Sequence, residues 1–161
     1  MIKKRNWIRL LLILLITIGL SVVLIRTPIV DIEKILVLGS DFQYNIASLS
    51  SVIAGFLFTG IGILISAIDK ERIKKLWDHH YLDNLYRTAF IGIFSNIITI
   101  ICAIVTLCSS EYLDLGRKLI KIEIISIVVG IVFFVWCTKM LSFIIGKIKN
   151  KKGKNDNNIQ Y

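Results

Sequence analysis

Hydrophobic and polar positions fall along this chain in four long apolar runs, and the polar residues inside the two middle runs are ordered. Residues 42–68 carry no charge, which exceeds the roughly 20 apolar residues needed to cross a bilayer core. Within them Ser48, Ser51, Gly55, Thr59, Gly62 and Ser66 recur at spacings of three and four. At about 100° per residue these positions fall within an arc of roughly 80° on a helix, and Ile, Leu, Phe and Val fill the rest. A helix built this way offers one side to another helix and the other to lipid.

The run at 88–108 repeats the arrangement. Thr88, Gly92, Ser95, Thr99, Cys102 and Thr106 also occupy an arc of about 80°, with Asn96 beside it. Two consecutive antiparallel helices with matching stripes are expected to face each other. The repeat lies close to 3.5 residues, which predicts left-handed, coiled-coil-like crossing.

The other two runs complete a four-span bundle. Residues 7–25 form a first span with a Leu- and Ile-rich body, read as a retained signal-anchor because no small-x-small cleavage site follows. It is expected to be the most lipid-facing of the four, with Thr17 and Ser21 one turn apart on one side. The fourth span is placed at 119–139, with Lys121 and Glu123 near one set of headgroups and Lys139 near the other, where a lysine stem can snorkel.

Between the spans the signals are shorter. Ile29, Ile32, Ile35 and Leu36 suit a short interfacial helix, and a strand over 35–38 is the competing reading. Gly39 breaks that run, and Ser40 with Gln43 resembles a capping box for the second span. Residues 69–86 read as an amphipathic helix on the membrane surface, with Ile73, Leu76, Trp77 and Tyr81 on one face. Residues 1–148 thus form one all-α, four-helix transmembrane domain, and 149–161 a basic tail expected to be disordered.

Charge supplies the orientation. The net charge of +9 would suggest nucleic acid in a soluble chain, but here its placement argues otherwise. Lys3, Lys4, Arg5 and Arg9 precede the first span; Lys70, Arg72, Lys74, Lys75 and Arg87 lie between the second and third. Lys139, Lys147, Lys149, Lys151, Lys152 and Lys154 follow the fourth. Basic residues gather in every second aqueous segment, so both termini and the middle connection are expected in the cytoplasm. Lys147, Lys149, Lys151, Lys152 and Lys154 are expected to hold anionic headgroups, and no nucleic-acid partner is implied.

Chemistry-bearing patterns are sparse. HExxH, GxSxG and GxxxxGK[ST] are absent, and Gly60 with Gly62 lacks the third glycine of a dinucleotide loop. His79 and His80 beside Asp78 and Asp83 have no third ligand, and adjacent histidines on a helix point apart, so no metal or cofactor is expected. Cys102, Cys108 and Cys137 form no disulfide framework and read as small apolar residues.

The functional expectation is a small non-enzymatic multi-pass protein of a bacterial plasma membrane. It would act through helix association, as an oligomer or as an accessory to a membrane complex. Ser51, Gly55, Thr59, Gly62, Ser66, Gly92, Ser95, Asn96, Thr99, Cys102 and Thr106 are the packing residues of that reading. The alternative is a pore-forming effector in which the same stripes turn to a symmetry axis and line a narrow path. An intramembrane enzyme would need a convergent set of polar groups with a proton acceptor, which the pattern does not supply.

Overall fold

The computed structural model describes residues 2–27, 31–66, 81–108 and 113–156, and in them the chain is helical almost throughout. The helices are α1 (Ile2–Arg26), α2 (Ile32–Ser66), α3 (Tyr81–Cys108) and α4 (Leu113–Asp156). Each holds a segment long and apolar enough to cross a membrane: Trp7–Arg26, Val37–Ile63, Asp83–Cys108 and Leu115–Phe143. The bundle is therefore all-α with four candidate spans. The expected surface helix at 69–86 lies mostly outside the described residues, and its last part, 81–86, is the first turn and a half of α3.

The structure decides one open reading, agrees with the break at Gly39 and moves one boundary. Residues 32–38 are helical, which settles the helix against the strand. Gly39, at φ 57° and ψ −131°, then re-aims the chain into the long part of α2. That backbone conformation is open to glycine and strained for residues with a Cβ. At the other end α4 runs on to Asp156, so 149–156 is helix where a disordered tail was expected. An existing helix needs no new nucleus to extend, and Lys costs little in a helix.

α3 lies at the centre, with its most extensive contacts to α4 and the next to α2; α1 and α2 touch α4 less. A ladder of pairs shows α3 and α4 antiparallel. Cys102 is near Glu123, Ser95 near Ser126, Asn96 near Gly130, Gly92 near Phe133, and Thr88 near Met140. α2 and α4 run parallel, tied by Gln43 to Glu123 and by an Arg117–Glu33 ion pair of 2.8 Å that marks one end of the bundle.

Two apolar clusters hold the remaining contacts. Ile53, Leu57 and Ile61 of α2 meet Leu85 and Ala89 of α3 and Cys137 of α4. Leu10 of α1, with Ile13, Leu14 and Ile18, packs on Val129 and Phe133. The rest of α1 is exposed along most of its length, from Trp7 to Val23, as expected of the most lipid-facing span. Thr17 and Ser21 are buried, but their hydroxyls donate to the α1 carbonyls of Ile13 and Thr17 at 2.7 and 2.8 Å.

Candidate functional site

The two stripes do not face each other. On α3 the expected residues point inward: Thr88, Gly92, Ser95, Asn96, Thr99 and Cys102 are buried and Thr106 is half-buried. On α2 they point outward, with Ser51, Gly55, Thr59, Gly62 and Ser66 all exposed. The buried residues of α2 are instead Gln43, Ser50, Ile53, Leu57 and Ile61, which occupy an arc nearly opposite the stripe. The expectation of paired stripes within one chain is thus corrected.

The reason is volume. Two facing rows of small residues would leave the interface underfilled, whereas a bulky knob in a small-residue notch fills it. Leu57 is that knob. A Cβ on Gly92 would meet Leu57 Cδ1 at 2.8 Å and Phe133 Cβ at 3.4 Å. One turn on, a Cβ on Gly130 would fall 2.5 Å from Asn96 Nδ2 and 2.9 Å from Asn96 Oδ1. The α3 stripe therefore receives side chains from α2 and α4 together.

Most hydroxyls in these stripes return to their own helix. Ser51 Oγ donates to Ala47 O and Ser66 Oγ to Ile63 O, both at 2.8 Å. Thr99 Oγ1 donates to Ser95 O at 3.1 Å and Thr106 Oγ1 to Cys102 O at 2.8 Å. Ser95 is different: its hydroxyl crosses to Ser126 O on α4 at 2.7 Å. Asn96 Nδ2 donates to Gly92 O at 2.8 Å, while its Oδ1 is buried without a conventional partner and lies against the Gly130 backbone.

A polar group that the stripes did not include occupies the α2–α3–α4 interior. Glu123, expected at a headgroup boundary, is 0 % exposed. With the Gln43 amide oriented by its hydrogen bonding, Nε2 donates to both carboxyl oxygens at 2.8 and 3.0 Å. Gln43 is thus no capping residue; its side chain bridges α2 to α4. Cys102 of α3 is the third member of this layer. Farther along the same buried face of α2, Ser50 Oγ is buried without a hydrogen-bond partner.

Sequence reasoning missed Gln43, Ser50, Glu123, Ser126 and Gly130. The last three carry the same signal as the middle spans, spacings of three and four, and continue at Phe133 and Cys137. Lys147, Lys149, Lys151, Lys152 and Lys154 lie on the extended end of α4. Among the described residues no group of three or more His, Cys, Asp or Glu is placed to hold a metal ion. Comparison with protein-family models, curated proteins and solved structures finds no match to this chain.

Proposed function

We propose that the chain is a non-enzymatic multi-pass membrane protein that associates with copies of itself through the outward face of α2. One observation carries this reading: that face holds the same small-residue pattern that α3 uses inside the chain to receive bulky side chains. Val52, Phe56 and Ile63 stand exposed along one side of the groove, and Phe58 and Ile65 along the other. A groove with its own ridges is self-complementary, so a two-fold contact can set the ridge of one copy into the groove of the next. Lipid tails are as apolar as leucine, so close van der Waals packing is the driving force available there.

Basic residues before α1, between α2 and α3 and after α4 support a reading with both termini and the middle connection in the cytoplasm, and a bacterial plasma membrane is the host we propose. Lys147, Lys149, Lys151, Lys152 and Lys154 then meet the anionic inner leaflet. The pore reading keeps one supporting observation, since Ser51, Thr59 and Ser66 all lie on the outward face of α2. Closing the same contact into a ring would place those hydroxyls about an axis, whereas the α3 stripe is occupied within the chain.

The test is the association state of the full chain in liposomes, read by energy transfer between labelled copies on dilution with lipid. Gly55→Leu and Gly62→Leu are expected to weaken association about tenfold each, roughly 1.4 kcal/mol, with helical content unchanged. A chain that stays monomeric at every dilution, or variants that associate like the parent, would overturn the reading. Ion leak that appears with association and falls in Thr59→Leu would select the pore form.

A further inference from the structure

Glu123 is the one buried carboxylate among the side chains whose burial is described. Glu33 is exposed and paired with Arg117; Asp31 is paired with Lys34 at 3.6 Å near the same end. Glu123 is 0 % exposed, and it stands two residues past the exposed Lys121, at the head of the uncharged run 124–138 of α4. Gln43 of α2 and Cys102 of α3 meet Glu123 in one layer of the bundle. An unpaired ionised carboxylate within a bilayer is costly, and such groups are retained where something neutralises them.

The neighbours exclude a fixed counter-charge among the described residues. From α2 the facing group is Gln43; from α3 it is Cys102. The buried polar residues of α1, Thr17 and Ser21, spend their hydroxyls on their own backbone. On α4 itself, Arg117 is committed to Glu33, and Lys121, two positions away, is exposed. No described lysine or arginine pairs with Glu123.

Gln43 is suited to a carboxyl that changes state. Its amide has a donor face and an acceptor face that a half-turn exchanges. With Nε2 toward Glu123 it donates to both oxygens of a carboxylate, the geometry given above. With Oε1 toward Glu123 it accepts a hydrogen bond from a protonated carboxyl. A lysine at this position would hold the group ionised, and a leucine would leave either form without a partner. The amide serves both.

We propose that Glu123 and Gln43 form a proton-binding site within the membrane, loaded and unloaded from the end of the bundle marked by the Arg117–Glu33 pair. On loading, a proton from water forms an O–H bond on one Glu123 oxygen and the Gln43 amide turns its oxygen to receive it. On unloading, that O–H bond breaks, the proton returns to water, and the amide turns back. Because Gln43 sits on α2 and Glu123 on α4, each event changes the bond that ties those two helices. The proposal does not depend on self-association, since every residue in it belongs to one chain.

Infrared spectra of the full chain in liposomes, taken across pH and back, test this directly. The protonated carboxyl has a C=O stretch separate from that of an ionised carboxylate. A band that appears and disappears reversibly with pH, is missing in Glu123→Gln and persists in Glu33→Gln is the expected result. Gln43→Met, which keeps the length and removes the amide, is expected to move the midpoint of that band by about one pH unit, tenfold in proton affinity. This variant retains Glu123 and so gives a reading even if Glu123→Gln does not fold. A band that stays constant over the whole range in which the helices persist would identify a permanently neutral structural carboxyl and overturn the proposal. Absence of any Glu123-dependent band, or an unmoved midpoint in Gln43→Met, would overturn it as well.

Discussion

Asn96 is seated against Gly130 so closely that a single methyl group on residue 130 would stand 2.5 Å from its amide nitrogen. The contact fixes the depth at which α3 and α4 register, between the Ser95–Ser126 hydrogen bond and the Gly92–Phe133 approach. Gly130→Ala is expected to destabilise the bundle by about 1–3 kcal/mol, the usual cost of overpacking a tight site. Asn96 also donates to Gly92 O at 2.8 Å, so it cannot swing away without losing that bond. Asn96→Ala frees the space, and in the double variant the two costs should be far from additive. Reversible unfolding in mixed micelles measures all three; strict additivity would show that the two residues do not meet.

Identical substitutions on the two stripes should have opposite signatures. Gly92→Leu drives a side chain into Leu57 and Phe133 and is expected to cost several kcal/mol of monomer stability. A Cβ at Gly55 meets nothing within 4 Å and the position is exposed, so Gly55→Leu should leave monomer unfolding within about 0.5 kcal/mol of the parent. Its effect belongs to association alone. Equal losses from both would mean that α2 turns its small face inward.

The contrast shows what the pattern along the chain conveys. Spacings of three and four locate a face on a helix, and for α3 that face is indeed the buried one. They do not say which neighbour meets it, and α2 carries an equivalent face on its outside. The inward choice on α2 depends on Leu57 filling the notch at Gly92, a relation between residues 35 positions apart in the chain. Glu123 was legible as a position on the Glu123, Ser126, Gly130 row, but its charge favoured an interfacial reading. Its burial follows from Gln43 arriving at the same depth on another helix, which local sequence does not encode. The four long apolar helices were plain, because long runs with few charges stand out along the chain. The helix at 149–156 was not, since a polar lysine-rich segment looks alike whether it extends a helix or leaves one.

Removing the basic end of α4 should alter lipid preference without disturbing the bundle. Lys147, Lys149, Lys151, Lys152 and Lys154 follow Phe143, the last residue of the apolar segment. Near an anionic surface each well-placed lysine contributes roughly 1 kcal/mol. Replacing all five with Gln is expected to weaken the preference of the reconstituted chain for anionic over neutral lipid, as read by quenching with labelled lipids. The parent's preference should weaken as salt is raised. An unchanged preference in the five-fold variant would assign it to the basic residues elsewhere in the chain.

The tie between Gln43 and Glu123 can be priced separately from any proton chemistry. Glu123→Leu leaves the amide of Gln43, a residue only 3 % exposed, without its partner in the α2–α4 contact. Stranding a buried polar group costs about 1–3 kcal/mol, so this variant should unfold more easily by that amount. Gln43→Leu strands the carboxyl instead and should cost at least as much, because the group left behind can carry a full charge. Replacing both by leucine removes the polar groups together, and the double variant should recover most of the loss of either single change. Glu123→Gln preserves hydrogen bonding between two amides and should stay closest to the parent. Unfolding free energies of the four variants, measured in one lipid mixture, decide the matter. A double variant less stable than both singles would mean that the pair stabilises the bundle through more than mutual satisfaction.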